Sequence, residues 1–395
     1  MTTPAYARTA ERLRDVKPSP IRAVFDRAHE LEAAGEKIVH FEIGRPDFDT
    51  PAGIKQATAA ALDAGAVHYG PNAGTPELRK AIADYLADRD GVRYAPDGGI
   101  VVTIGANEAV FLSIMAYCGP GDEVIIPVPA WAHYAECTRL AGAVPVPLPL
   151  DPDNGYALDA EALAAACTPR TRMIIVCTPN NPTGTIADRA TLERVAEVVS
   201  GTDALVLADE IYAELVYDGA GRVSPAALPA LADRTLTVGG LAKSHAMDGW
   251  RLGWLAGPPD LVRPALRIRQ FTTVCPTTFL QAGAVHALRD SADECAAMRA
   301  EFAERRRIAL DLLAGQDVLR AAPAAGAFYL YLRYPETYEP ADKLVWRLLE
   351  EQHVAVVPGT AFAPADTHAF RVSYACDADD LRLGLTRIID AFQES

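Results

Sequence analysis

Disulfide frameworks, zinc motifs and membrane spans are all missing from this sequence, and each absence narrows what the chain can be. Its seven cysteines (118, 137, 167, 177, 275, 295 and 376) are scattered, odd in number and never in CxxC spacing. They read as reduced thiols packed as small core residues, not as a bridge framework or zinc site. The eight histidines include no HExxH, so no metal site is expected. No window reaches the roughly 18 apolar residues of a membrane span. The opening stretch MTTPAYARTAERLRD lacks a signal-peptide core, which with the thiols leads us to expect a cytoplasmic protein. Positive charge is scarce too: 37 Lys+Arg stand against 52 Asp+Glu, a formal net charge of −15. Such a surface repels phosphate backbones and anionic lipid, which argues against nucleic-acid or membrane partners. A local arginine cluster could still receive a small anion.

What is present is ample apolar material, 50% of 395 residues, enough for two cores. Ile21, Val24, Phe25, Ala28 and Leu31 recur at helical spacing, with Gly35 as the stop. IVHFEI (38–43) predicts a strand leading into GRPDFDTP. Thr50-Pro51 and Thr75-Pro76 each predict a helix N-cap followed by proline at the first helical position.

From residue 100 short apolar runs alternate with helical patterns: IVVT, EVIIP, VPVPL, RMIIVC, ALVLA, TLTVG and GWLAG. Continuous apolar strands between helices mark a mostly parallel sheet covered on both faces. The predicted fold class is therefore α/β. A large domain over 45–290 carries a mostly parallel seven-stranded sheet, and a smaller α+β domain is formed by both termini, 1–44 and 291–395. Sheets of this kind hold ligands just past the C-terminal ends of their strands.

Four polar clusters fall at those ends. Gly105, Ala106 and Asn107 form a turn between IVVT and a helix expected to begin near Glu108. A helix N-terminus there offers free N–H groups to a phosphate, although glycine turns before helices are commonplace. TPNNPTG (178–184) follows RMIIVC and puts two adjacent asparagines on an irregular backbone. In ADEIY, Asp209 leaves an apolar strand and Tyr212 follows; the carboxylate either meets a positive group or caps a helix. Last comes GGLAKSHAMDGWRLGW. Of the six lysines (17, 37, 55, 80, 243 and 343), only Lys243 lies in a small, apolar, glycine-rich setting. Burial there lowers an amine's pKa and favours a nucleophile. The other reading is a buried stem with its ammonium in water. Arg251, eight residues on, is a fixed cation suited to phosphate. Together the four clusters suit a ligand that is aromatic, phosphorylated and aldehyde-bearing, with a ring nitrogen that wants a carboxylate. Pyridoxal 5′-phosphate (PLP) meets each requirement.

From PSPIRAVFDRA through GRPDFDTP to FRVSYA, the chain resembles the class I/II aminotransferases, the PLP-dependent fold type I family that includes aspartate aminotransferase. The resemblance implies that Lys243 carries the cofactor as a Schiff base and that Asp209 pairs with the pyridinium nitrogen. It implies that Tyr212 and Asn181 bind the phenolate oxygen, and that Arg251 with Gly105, Ala106 and Asn107 forms the phosphate cup. Trp131, in PVPAWAHY, would stack on the ring, although its type also suits plain core packing. Arg371, in FRVSY, would clamp the substrate α-carboxylate with help from Asn181 and the backbone near Gly44. Tyr69, in HYGPNAGTPELR, would reach the neighbouring subunit's phosphate, which implies a homodimer with shared active sites. Three residues depart from the family pattern: Ala242 for serine, Asp248 for threonine and Ala363 for glycine.

The implied reaction is transfer of the α-amino group of a free amino acid to a 2-keto acid, with the freed Lys243 amine as base. The alternative is a PLP-dependent lyase or cyclase, which shares the first proton abstraction. A PLP-binding transcriptional regulator would need an appended DNA-binding domain. The resemblance begins too near Met1 to leave room for one. Asn107 replaces a lysine found in some dicarboxylate-specific relatives, which disfavours aspartate as donor. Pro20, Ile21, Arg45 and Trp131 are expected to line the side-chain pocket.

Overall fold

The computed structural model describes residues 9–393. Most of the N-terminal stretch and the last two residues, the extreme ends of the predicted smaller domain, lie outside the described residues. In chain order the strands are β1 (Val39–His40), β2 (Ile100–Thr103), β3 (Glu123–Val128), β4 (Val144–Pro149), β5 (Thr171–Cys177), β6 (Leu205–Asp209) and β7 (Thr235–Gly240). They continue with β8 (Gly253–Ala256), β9 (Arg320–Ala321), β10 (Tyr329–Arg333), β11 (Val354–Ala355), β12 (Val357–Pro358) and β13 (Ala369–Ser373).

All seven apolar runs become strands of one sheet, in the order β2-β8-β7-β6-β5-β3-β4. The pairs β3–β4, β3–β5, β5–β6 and β6–β7 are parallel, and β8 runs antiparallel to both its neighbours. Both faces are covered except at the partly exposed edge strand β4, which is why the inner runs are continuously apolar rather than alternating. Along β3, for example, Val124 and Ile126 join one cluster with Met173, Ile175 and Leu207, while Ile125 joins Ile174, Val176 and Val206 opposite. Each such buried side chain contributes about 1.5–3 kcal/mol.

The reversal of β8 fixes the site. Gly253 pairs with both Thr103 and Gly240, so the start of β8 meets the ends of β2 and β7. Arg251, two residues before β8, therefore reaches the same edge as the turn after β2 and the loop carrying Lys243. At Gly253 a Cβ would meet Gly105 C at 2.7 Å and Ala106 N at 2.8 Å, so only glycine lets β8 approach that turn so closely.

A second, antiparallel sheet has the order β12-β13-β10-β9, and β1 pairs in parallel with β11. The helix Ala292–Ala314 and the last helix Ala378–Gln393 pack against this layer through Phe302, Ile308, Leu381, Leu385 and Ile388. Residues 38 to 41 also pack here, so both ends of the described chain share one core.

Three local expectations need correction. The predicted strand 38–43 is two residues long, although Phe41 continues its pattern by donating to Ala355 O (2.9 Å) and accepting from Ser373 N (2.9 Å). Thr75 does cap its helix, accepting from Leu78 N at 3.3 Å, but Thr50 does not cap. Its hydroxyl instead donates to Ala246 O at 2.5 Å and accepts from Trp250 Nε1 at 3.0 Å, tying the start of Ala52–Asp63 to the lysine loop. The helix after β2 begins at Gly105, not near Glu108, because Glu108 reaches back to accept from Ile104 N at 2.6 Å and closes the turn earlier.

Candidate active site

Lys243 follows β7 in a non-helical loop, and its Nζ donates to Gly44 O at 2.6 Å. Burial lowers its pKa to about 8; the charges of Arg371 and Arg251 act the same way, while Asp248 and Asp209 oppose. The amine bonds to a carbonyl rather than a carboxylate, and Phe328 presents its ring 5.8 Å away. This is not a stem with its charge led out to bulk water. Gly44 itself has no room for a side chain, since a Cβ would run into the Tyr329 hydroxyl.

Asp209 ends β6, and the residues after it form turns, so the helix-cap alternative falls. The carboxylate is 2% exposed; it accepts from Tyr134 OH at 2.7 Å and from Ile211 N at 3.1 Å. Burial raises its pKa, and the two donors together with the Lys243 charge work against that rise. The next residue, Glu210, is buried, and its carboxylate receives Arg89 at 2.7 Å and Ser224 at 2.5 Å, with Arg222 3.5 Å away. A paired anion behind Asp209 thus fixes the backbone that aims it.

Tyr212 is buried, and its hydroxyl shares a hydrogen bond with Tyr329 OH at 2.9 Å; burial pushes its pKa well up. Asn181, in the loop after β5, accepts from Arg371 Nη1 at 3.1 Å. Arg371 sits mid-strand in β13, 2% exposed, and its Nη2 donates to Glu42 O at 2.5 Å. Tyr329 and Phe362 place their rings 4.5 and 4.9 Å from its guanidinium carbon. Among the described residues its Nε–H has no partner, and a buried orphan donor costs about 1–3 kcal/mol until something accepts from it.

The turn Gly105, Ala106 and Asn107 is the first turn of a 13-residue helix, with its N–H groups and positive dipole end at the sheet edge. Gly105 takes φ +70°, and a Cβ there would collide with the Arg251 guanidinium, so turn and cation touch. Arg251 donates from Nη1 to Asp248 O at 2.8 Å. Trp131 follows β3, half-buried and stacked on His133. Tyr69 is 89% exposed, and Val67, Phe271 and Val274 are exposed as well.

Sequence reasoning missed Tyr134, Tyr329, His133 and the pair beneath the turn, Glu108 and Arg269. Tyr134 lies inside PVPAWAHY, but its partner is 75 positions away, beyond any local spacing. Arg269 is wholly buried, donates to Val102 O, and keeps Nη2 3.6 Å from Glu108. Among the described residues no group of three His, Cys, Asp or Glu could hold a metal, and no helix is long and apolar enough to cross a membrane.

An amine of lowered pKa, a buried carboxylate and an arginine beside a helix N-terminus thus gather at the C-terminal ends of the parallel strands. Residues 36–388 match the family "Aminotransferase class I and II". The aspartate aminotransferase of Pyrococcus abyssi is 37% identical over 98% of both chains. The aromatic-amino-acid aminotransferase 2 of Thermococcus litoralis is also 37% identical over 98% of both. Among solved structures, the aspartate aminotransferase of Rhizobium meliloti superposes with TM-score 0.92 at 35% identity, covering 98% of this chain and 99% of that one. The Thermus thermophilus aspartate aminotransferase with maleate gives TM-score 0.92 at 36% identity, covering 97% and 99%. The chain belongs to the aminotransferase class I and II family and is an enzyme of amino-group transfer. The lyase or cyclase alternative is not favoured.

Proposed function

We propose that this enzyme is a PLP-dependent aminotransferase moving the α-amino group of a free amino acid to a 2-keto acid, with Lys243 as the residue that binds the cofactor covalently. The observation that carries this reading is geometric: the Lys243 amine is fixed on Gly44 O at 2.6 Å just past β7, and the neighbouring strand β6 ends in the buried Asp209 carboxylate. The chain's residues fit the cofactor at each point. Arg251 and the N–H groups of Gly105, Ala106 and Asn107 suit its phosphate, and Asp209 suits a protonated ring nitrogen. Asn181 and Tyr212 suit its ring oxygen, and the free face of Trp131 suits the ring itself.

When bound, PLP supplies an electron sink that makes the substrate α-proton acidic. The protein's own residues do the rest. Arg371 receives the α-carboxylate, satisfying its orphan Nε–H. Asn181 already holds the same guanidinium. Tyr134 and the Ile211 N–H favour the charged form of Asp209 against its burial and aim its carboxylate. Lys243, neutral above pH 8 and anchored on Gly44 O, is the base that takes the α-proton and gives it back on the far side of the nitrogen.

The exposed apolar side chains of Val67, Tyr69, Phe271 and Val274 support a homodimer in which Tyr69 reaches the partner's phosphate. We assign residues 45–290 to a cofactor-binding domain, and 1–44 with 291–395 to a smaller one. Seven unpaired cysteines support a cytoplasmic setting.

The test is a half-reaction. Holoenzyme mixed with single amino acids, without keto acid, should convert once to the aminated cofactor and stop. Continuous ammonia release would point to a lyase. Aspartate, glutamate and the aromatic amino acids form the first donor panel, following the relatives' names.

A further inference from the structure

We propose that His133 is a positioning residue that backs the Trp131 indole and ties it to the phosphate-binding turn. The proposal rests on the reading above, in which Trp131 lies on the cofactor ring and Gly105 to Asn107 take its phosphate. His133 opens the helix His133–Leu140, and its imidazole stacks on the indole with centroids 4.4 Å apart and planes 28° from parallel. Its Nε2 lies 3.2 Å from Asn107 O. A carbonyl can only accept, so Nε2 carries the proton and donates. The thiol of Cys137, one turn on, lies 3.3 Å from the same nitrogen. Burial lowers the imidazole's pKa, and the bond to Asn107 O opposes that, which leaves a neutral ring in the stack.

The indole is therefore held on two sides. His133 covers one face, and Tyr134 meets it edge-on at 5.6 Å and 85°. Tyr134 in turn donates to Asp209 at 2.7 Å. A chain of direct contacts runs from Asn107 through His133, Trp131 and Tyr134 to Asp209. It joins the group that takes the phosphate to the group that takes the ring nitrogen, and Trp131 lies between them. With one face occupied, the indole has a single flat surface left for a planar ligand, and its rotamer is set before the ligand arrives. Pre-ordering of this kind raises affinity by removing an ordering cost from the binding step.

A double-mutant cycle tests this on PLP binding to the cofactor-free protein, read by equilibrium dialysis, with circular dichroism of the bound cofactor as a second signal. H133A should weaken binding by about 2- to 10-fold, the size of one aromatic pair, and shrink the dichroic band. In a W131A background the same change should do almost nothing, because its target is gone. H133F, which keeps a ring in the stack but cannot donate to Asn107 O, should recover most of the band. If H133A weakens binding equally in both backgrounds, or leaves native binding unchanged, His133 does not act through Trp131 and the proposal fails. If W131A binds PLP as tightly as the native chain, the placement of Trp131 on the ring fails first, and the proposal with it.

Discussion

The Lys243 amine donates at 2.6 Å to the carbonyl oxygen of Gly44, a residue 199 positions earlier in the chain. That bond joins the loop after β7 to the segment entering from β1, so the nucleophile sits where two parts of the fold meet. A carbonyl partner holds the amine in place without stabilising its charge as a carboxylate would.

Lys243 has a pKa of about 8 against an ordinary 10.5, chiefly through burial. Only the neutral amine attacks an aldehyde, so capture of PLP by the cofactor-free protein should speed up as pH rises, with a midpoint near 8. Stopped-flow absorbance across pH 6 to 10 reads this directly. The sign for stability follows. Between about 8 and 10.5 the unfolded chain holds the proton and the folded chain does not, so this group's contribution to stability rises with pH across that window.

Tyr134→Phe removes one of the two hydrogen bonds to Asp209 and leaves only the Ile211 N–H. The buried carboxylate then drifts further toward its neutral form. A bond to a charged acceptor contributes about 1.5–3 kcal/mol, so kcat should fall about tenfold or more, with KM for the amino acid changed less than about twofold. Pre-steady-state half-reaction rates separate the two.

Arg371→Lys keeps the charge but loses the planar fork that reaches Asn181 Oδ1 and Glu42 O together. KM for amino acids should rise about 10- to 100-fold, while the pH midpoint and rate of PLP capture stay close to native. Loss of PLP capture in this variant would place Arg371 on the cofactor instead of the substrate.

Gly44→Ala drives a Cβ into the Tyr329 hydroxyl, which is buried and bonded to Tyr212. Overpacking of this kind costs about 1–3 kcal/mol, and the shift of Tyr329 should also disturb Tyr212. A lower denaturant midpoint with unchanged m-value is the expected result.

The inner strands of the main sheet were legible because both faces are buried, which makes each of them a continuous apolar run with polar residues at its end. Lys243, Asp209 and Arg251 stood out for the same reason: a charge beside such a run needs an explanation. IVHFEI misled because the pairing ends with Phe41, and Glu42 turns its carbonyl to Arg371 instead. Thr50 misled because Trp250 and Ala246, some 200 positions on, outbid the helix for its hydroxyl. Tyr134, His133 and Tyr329 were hidden because their hydrogen-bond partners, Asp209, Asn107 and Tyr212, are distant along the chain. Glu108 alone carried a local signal, since a glutamate shortly after a turn before a helix is placed to reach back to the turn's N–H.

The central claim is that one particular lysine holds the cofactor. Holoenzyme reduced with borohydride and digested should yield the phosphopyridoxyl mass on the peptide containing Lys243 and on none containing Lys17, Lys37, Lys55, Lys80 or Lys343. A label on any of those five, or full transaminase activity in Lys243→Ala with no label at all, would contradict the account.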